Sequence, residues 1–229
     1  MPLFLWRGTC YNVHNTKKEL MPMDSVSHTT VAHYLLDYVE TTNGVSFNRK
    51  AFMFGNLKPD LKGEYLTKRH YPSLMFEEVM QRIRDFIAHV RLNASNGPKI
   101  SEDLGVICHY ITDFFSFPHN DDIYGHCLLV HYIYEKQTSL TIRRRINEAK
   151  FNGWAHNAPA KLPATPDALI AYISEQHRSY VAQETHTIND DISHICCVLT
   201  AVVLSIIGMT CTAIERLPHI GEQEMVQTA

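Results

Sequence analysis

These 229 residues carry almost no strand signal: no apolar/polar alternation is sustained and no paired hairpin runs occur. That excludes a β-sandwich, a barrel or a doubly wound sheet. Cysteine is present six times but never as a C-x-x-C pair, which excludes a zinc ribbon and suggests no disulfide framework. The thiols sit in apolar segments, which predicts reduced cysteines and a cytoplasmic chain. No basic excess exists either. Lys and Arg number 21 against 24 Asp and Glu, a formal charge of −3, so a general nucleic-acid-binding face is not indicated. Met1 to Trp6 is too short an apolar run for an export signal, and no small-residue cleavage site follows it. The charge-free run Ile195–Cys211 spans 17 residues. A bilayer crossing needs about 17–25, and flanking Lys/Arg clusters that would orient it are missing. With Thr200, Ser205, Gly208 and Thr210 inside it, the run is expected to be a buried core helix and not a transmembrane anchor. No Glu-x-x-His motif occurs, which removes a di-iron carboxylate bundle.

What is present is helical periodicity. At 45% hydrophobic and 20% charged residues, the composition is that of a globular protein with one full core. Residues 1–22 show no period and are expected to be an irregular lead-in; residues 23–229 are expected to form a single all-α domain, a multi-helix bundle. A first helix is predicted from a cap at Asp24, Ser25 or Ser27 to about Thr41, with Val31, Leu35, Leu36 and Val39 as its apolar stripe. A short helix over Asn48–Phe54 should give way to an irregular loop at GNLKPDL, where Gly55 and Pro59 act as breakers. Ser73 is predicted to cap a helix over Leu74–Leu92, Asn96-Gly97-Pro98 to break it, and Ser101 to start the next helix, which ends before Pro118. Further helices are predicted over Ile123–Ala149, from Thr165-Pro166 to about Gln183, and over Asp190–Leu217.

The chemistry concentrates in Ser101–Glu135. His109 and Asp113 stand four residues apart, as do His131 and Glu135, and His119 follows Asp113 by six. Side chains at i and i+4 share a helix face, so each pair can offer two ligands to one metal ion. Two such pairs with a histidine on the loop between them match a multi-metal site built from helices. Imidazole mixed with carboxylate suits zinc better than iron or manganese. His126 is an alternative to His119 as the loop ligand. His33 is expected to be an ordinary helix histidine, and His156, His177, His186, His194 and His219 surface or hydrogen-bonded groups. Arg143-Arg144-Arg145 reads as a solvated face that could steer an anion. Tyr110, Phe114, Phe115 and Phe117 divide between core packing and a cleft wall.

Four pieces of the chain together resemble the zinc-dependent phospholipase C family, whose all-helical fold is shared with the fungal single-strand nucleases. SHTTVAHYLL resembles the family's first helix with its early ligand histidine, which picks out His28. GNLKPDL resembles its Gly-x-x-x-Pro-Asp loop, which picks out Asp60. HYITDFFSFPH resembles its His-x3-Asp-x5-His core, giving His109, Asp113 and His119. HYIYE resembles its His-x3-Glu element, giving His131 and Glu135. A further ligand falls between the second and third pieces, with His70 the candidate and His89 its rival. The resemblance implies two to three zinc ions: one on Asp60, His70, His109 and Asp113, one on His119, His131 and Glu135, and a third on His28 with Asp113 as a bridge. It also implies metal-assisted hydrolysis of a phosphodiester, with Asp60 as an additional general base. The expected substrate is a phospholipid met through peripheral membrane contact. A single-strand nuclease or other phosphodiesterase, and a helical metal-binding protein without turnover, stand as alternatives; the acidic balance disfavours nucleic acid. In secreted members the third metal is also held by an N-terminal tryptophan. Trp6 is not at the terminus here, and a start near Met21–Met23 would bring an amine within reach of His28.

Overall fold

The computed structural model describes residues 25–61, 70–92, 97–124, 128–147 and 159–214. The lead-in with Trp6 and Met21–Met23, together with His126, His156, Leu217 and His219, lies outside them. Among the described residues the regular structure is helical throughout, with seven α-helices, one 3-10 turn and no strand. The helices are α1 (Ser25–Asn43), α2 (Arg49–Leu61), α3 (Pro72–Leu92), α4 (Gly97–Phe114), α5 (Leu128–Asn147), α6 (Pro166–Val181) and α7 (Ile188–Ile214), and the 3-10 turn is Phe117–His119.

The axis of the bundle is α4. Every residue from Leu104 to Phe114 is buried, an all-round pattern that belongs to a helix enclosed by others. Helices α1, α2, α3 and α7 pack around it, and α2 lies against it more extensively than any other pair of helices meets. Glycine explains that intimacy. A Cβ at Gly55 would lie 2.0 Å from the Glu102 carbonyl oxygen, and one at Gly105 would lie 2.3 Å from the Phe52 carbonyl oxygen. The two backbones are in contact where side chains would normally hold helices ~8–10 Å apart. Lys58 then pairs with Glu102 at 2.8 Å across the same seam, and Phe52 is fully buried beside it.

The expected loop at GNLKPDL is therefore wrong. The helix runs on through Pro59 to Leu61. Gly55 serves a close helix crossing, not a turn, and packing on α4 offsets the one amide that Pro59 removes from the ladder. Asn48 starts this helix by accepting from the Ala51 amide at 3.0 Å. Three other boundaries also shift. α3 begins at Pro72, so Ser73 is no cap; its hydroxyl donates to Asp121 at 2.7 Å. α4 begins at Gly97, with Pro98 in its first turn where a missing amide costs nothing. α5 begins at Leu128 and not at Ile123. Thr165 caps α6, accepting from the Ala168 amide at 3.2 Å.

Helix α7 is long and apolar enough to cross a membrane by length and composition, yet 67% of its most apolar window is buried inside the protein. Val198, Leu199, Val202, Val203 and Ile206 face the core that α1, α3, α4, α5 and α6 share. It is a helix of the bundle, and no clear transmembrane anchor exists among the described residues.

Candidate metal centre

Three segments reach one carboxylate of α4, and a fourth stands beside them. Asp113, on the last turn of α4, is completely buried. Its Oδ1 faces His28 Nε2 of α1 at 3.3 Å. Its Oδ2 stands 3.2 Å from His70 Nδ1 and 3.2 Å from His109 Nε2. His109 Nε2 and His70 Nδ1 are themselves 3.2 Å apart. Asp60 Oδ1, from the last turn of α2, approaches His70 Nδ1 at 3.6 Å and His109 Nε2 at 3.7 Å. Ligand atoms about 2.0–2.1 Å from a zinc ion are separated by about 3.3 Å in a tetrahedron. The observed spacings are of that size.

The orientation of His109 is decided by α2. Its Nδ1 donates to the Asn56 carbonyl oxygen at 2.8 Å. A backbone carbonyl can only accept, so the proton sits on Nδ1 and Nε2 is left bare toward the carboxylates, the tautomer a metal requires. Burial also lowers the His109 pKa, outweighing the pull of Asp113, so the ring is neutral. Its faces are held by the stacked His28 ring at 4.2 Å and the edge of Tyr110. The close α2–α4 crossing thus has a functional consequence: it delivers both Asp60 and the Asn56 carbonyl to His109.

A second group lies alongside. His131 and Glu135 hydrogen-bond one turn apart on α5, and His119, at the end of the 3-10 turn, has its Nε2 3.5 Å from Glu135 Oε1. His119 Nδ1 is 3.9 Å from Asp113 Oδ2, so the two groups adjoin. The ligand atoms of His28, Asp60 and His109, those of His70, His109 and Asp113, and those of His119, His131 and Glu135 form three sets, each within 4.8 Å. All eight candidates are thereby assembled, whereas the rival His89 is exposed on α3, as His33 is on α1.

Whether these groups suit a cation is tested by their electrostatics. Three carboxylates lie buried: Asp60, Asp113 and Glu135 are 8%, 0% and 5% exposed. Burial raises Asp60, and the like charge of Asp113 adds to that against His109 and His70. Burial would also raise Asp113, but His119, His109 and His28 hold it well below the usual range. Glu135 is lowered, against burial, by His119 and His131. Burial lowers His119, yet Asp113 and Glu135 together push it up to about 9. Asp60 Oδ2 is buried without a hydrogen bond among the described residues. Buried anions with an unfilled acceptor want positive charge, and the set fits zinc.

A model of the family described as zinc dependent phospholipase C matches residues 27–187. The chain belongs to that family. No curated protein and no solved structure gives a significant match. The part of this zinc-dependent phospholipase C chain that matches contains all eight candidates, so as a family member it is a phospholipase C-like hydrolase with metal-binding clusters.

Asp191 lies beyond the matched segment and was visible in the sequence only as an acid flanking an apolar run. In the structure it is buried on α7 and takes three hydrogen bonds: from the Phe117 amide at 2.9 Å, the Tyr134 hydroxyl at 2.8 Å and the Tyr180 hydroxyl at 2.8 Å. Burial raises it to about 6 despite those donors. Phe117 opens the turn that carries His119, and Tyr134 precedes Glu135. One carboxylate on α7 therefore ties down both segments of the second group. Asn120 fastens the same turn, donating to Phe114 and Ser116 carbonyls at 3.2 and 2.9 Å and accepting from His177 at 2.8 Å. Tyr110, Phe114 and Phe115 are core residues. Only Tyr110 of these also walls the metal groups, edge-on to His70 and His109.

Proposed function

We propose that this chain hydrolyses the phosphodiester bond of phospholipids, using two to three zinc ions held by His28, Asp60, His70, His109, Asp113, His119, His131 and Glu135. The observation that carries the proposal is the split duty of Asp113, with one oxygen on His28 and the other on His70 and His109. A single carboxylate so placed suits a bridge between two cations. When bound, zinc would neutralise the phosphate oxygens and lower the pKa of water toward about 7.

The chain's own residues supply the rest. Asp60 has its second oxygen uncommitted and its basicity raised by burial, which suits it to take the proton of the attacking water. The water oxygen bonds to phosphorus, the bond to the glyceride oxygen breaks, that oxygen takes up the proton that Asp60 removed from the water, and a diglyceride and a phosphorylated headgroup leave. His131, whose side chain is 20% exposed against 6–7% for Glu135 and His119, marks the side on which substrate enters.

Elemental analysis and turnover test this reading. We expect two to three zinc ions per chain, falling sharply in a His109→Ala/Asp113→Ala double variant. Asp60→Asn should lower phospholipid turnover by about 10²–10⁴. Less than half an ion after refolding with zinc would overturn the ligand assignment. Full zinc with turnover of single-stranded nucleic acid but no phospholipid would make the nuclease reading the correct one, and full zinc without turnover of either would make the chain a metal-binding protein.

A further inference from the structure

His119 differs from His109 in what aims it. His109 is turned by a carbonyl outside the metal groups, whereas neither nitrogen of His119 makes a hydrogen bond among the described residues. Its Nε2 stands 3.5 Å from Glu135 Oε1 and its Nδ1 3.9 Å from Asp113 Oδ2, and both of those are candidate ligands themselves. A metal-binding imidazole ordinarily has its second nitrogen held by a group behind it, which fixes the ring. With no such group, the aim of His119 depends on the backbone of the turn that carries it.

That backbone is held from α6. The Ser116 carbonyl accepts from the His119 amide at 3.0 Å, closing the turn. The same carbonyl accepts from Asn120 Nδ2 at 2.9 Å. The other hydrogen of that amide goes to the Phe114 carbonyl at 3.2 Å, one of those that the end of α4 leaves without a helical partner. With its hydrogens committed to carbonyls, the Asn120 amide can face only one way, and its Oδ1 can only accept. Opposite it, at 2.8 Å, stands His177 Nε2 of α6. His177 therefore carries a proton on Nε2. Burial lowers its pKa against the pull of Asp122, so the ring is neutral and Nδ1 is bare. Phe76, Phe114 and Phe115 pack around the ring, with centroids 5.6, 6.3 and 5.8 Å away, and hold it in that pose. We propose that His177 is a positioning residue for His119. Its Nε2–H locks the Asn120 amide, the amide locks the Ser116 and Phe114 carbonyls, and the locked turn presents His119 to the zinc it would share with His131 and Glu135. The inference rests on the proposed binding of zinc by those three residues. His177 itself makes no hydrogen bond or ring contact with any candidate ligand among the described residues, so it acts through Asn120.

The test measures zinc affinity of the full chain by competition with a chromophoric chelator, in the parent, His177→Phe and His177→Gln. Phenylalanine keeps a ring against Phe76, Phe114 and Phe115 but removes the donor. Glutamine restores an N–H near the place of Nε2. His177→Phe should weaken zinc in the His119–His131–Glu135 group about 10–100-fold, and His177→Gln should recover most of that loss. In a His131→Ala/Glu135→Ala background, which keeps only the other group, His177→Phe should leave zinc affinity unchanged. Parental affinity in His177→Phe overturns the proposal. So does an equal loss in His177→Gln, or a loss of the same size in the double-variant background, since His177 would then support the core in general. A second measurement needs no variant at His177: long-range proton–nitrogen correlation spectra of the zinc-loaded parent should show His177 protonated on Nε2, and a neutral ring protonated on Nδ1 overturns the proposal. Equal zinc content in the parent and the His131→Ala/Glu135→Ala protein counts instead against the second zinc itself, and the role of His177 falls with it.

Discussion

Replacing Gly55 by alanine should be among the most damaging conservative changes in the protein, although helix propensity predicts the reverse. Alanine in a helix interior is favoured over glycine by about 1 kcal/mol. At Gly55, however, the new methyl would stand 2.0 Å from the Glu102 carbonyl oxygen and 2.9 Å from its carbon, and both belong to backbone that cannot rotate away. Relief requires α2 and α4 to separate by about 1 Å or more. Overpacking of this kind costs about 1–3 kcal/mol; with the propensity gain of about 1 kcal/mol subtracted, the net loss spans about 0–2 kcal/mol, and a 2.0 Å approach to rigid backbone places Gly55→Ala at the upper end. For a chain of this size that lowers Tm by about 4–8 °C. The separation would also draw the Asn56 carbonyl and Asp60 away from His109, so zinc bound through His109 should be lost before that bound through His119. Gly208 is the internal control: nothing lies within 4 Å of a Cβ there, so Gly208→Ala should raise Tm by about 1–4 °C. Thermal unfolding followed by circular dichroism, with zinc analysis of each variant, measures both. A Gly55→Ala protein as stable as the parent, or a Gly208→Ala protein that loses as much, would refute the argument from close contact.

Other perturbations probe the metal groups directly. Asp191→Ala leaves the Phe117 amide and the Tyr134 and Tyr180 hydroxyls without their acceptor, so zinc affinity of the His119–His131–Glu135 group should fall about 10–100-fold. Competition with a chromophoric chelator reads this, and an unchanged affinity would show that Asp191 serves the core alone. In metal-free protein His119 is raised from 6.5 to about 9. Its proton therefore stabilises the fold fully below pH 6.5, and that contribution is lost as pH rises toward 9. Chelated protein should lose Tm over that window, and His119→Gln should flatten the slope. Zinc must displace the same proton, so calorimetry in buffers of different ionisation enthalpy near pH 7.5 should detect about one proton released from this residue; no difference between buffers would contradict it.

The helical class and most helix spans were legible because apolar residues recur at the period of a helix whatever surrounds them. The paired candidates were legible for the same reason: His109 with Asp113 and His131 with Glu135 each need only one turn of helix to become neighbours. The family resemblance then supplied His28, Asp60 and His70, which no local pattern connects. Gly55 and Pro59 misled the reading, since a glycine that permits a turn and a glycine that permits two backbones to touch are the same residue in a sequence. Asp191 had no signal at all beyond an acid before an apolar run.

What the sequence determined by itself was therefore most of what acts within one helix: periodicity, the start of α6 at Thr165 and Pro166, and i,i+4 ligand pairs. The tertiary structure decided how those helices share groups. Asp113 becomes a common carboxylate only because α1, the segment at His70 and the turn at His119 all reach it. His109 acquires its tautomer from an α2 carbonyl 53 positions away in the chain, and His177 reaches Asn120 across 57 positions. Backbone carbonyls, close approach and exposure carry no residue code, because they arise from where the chain goes and not from which side chain it bears.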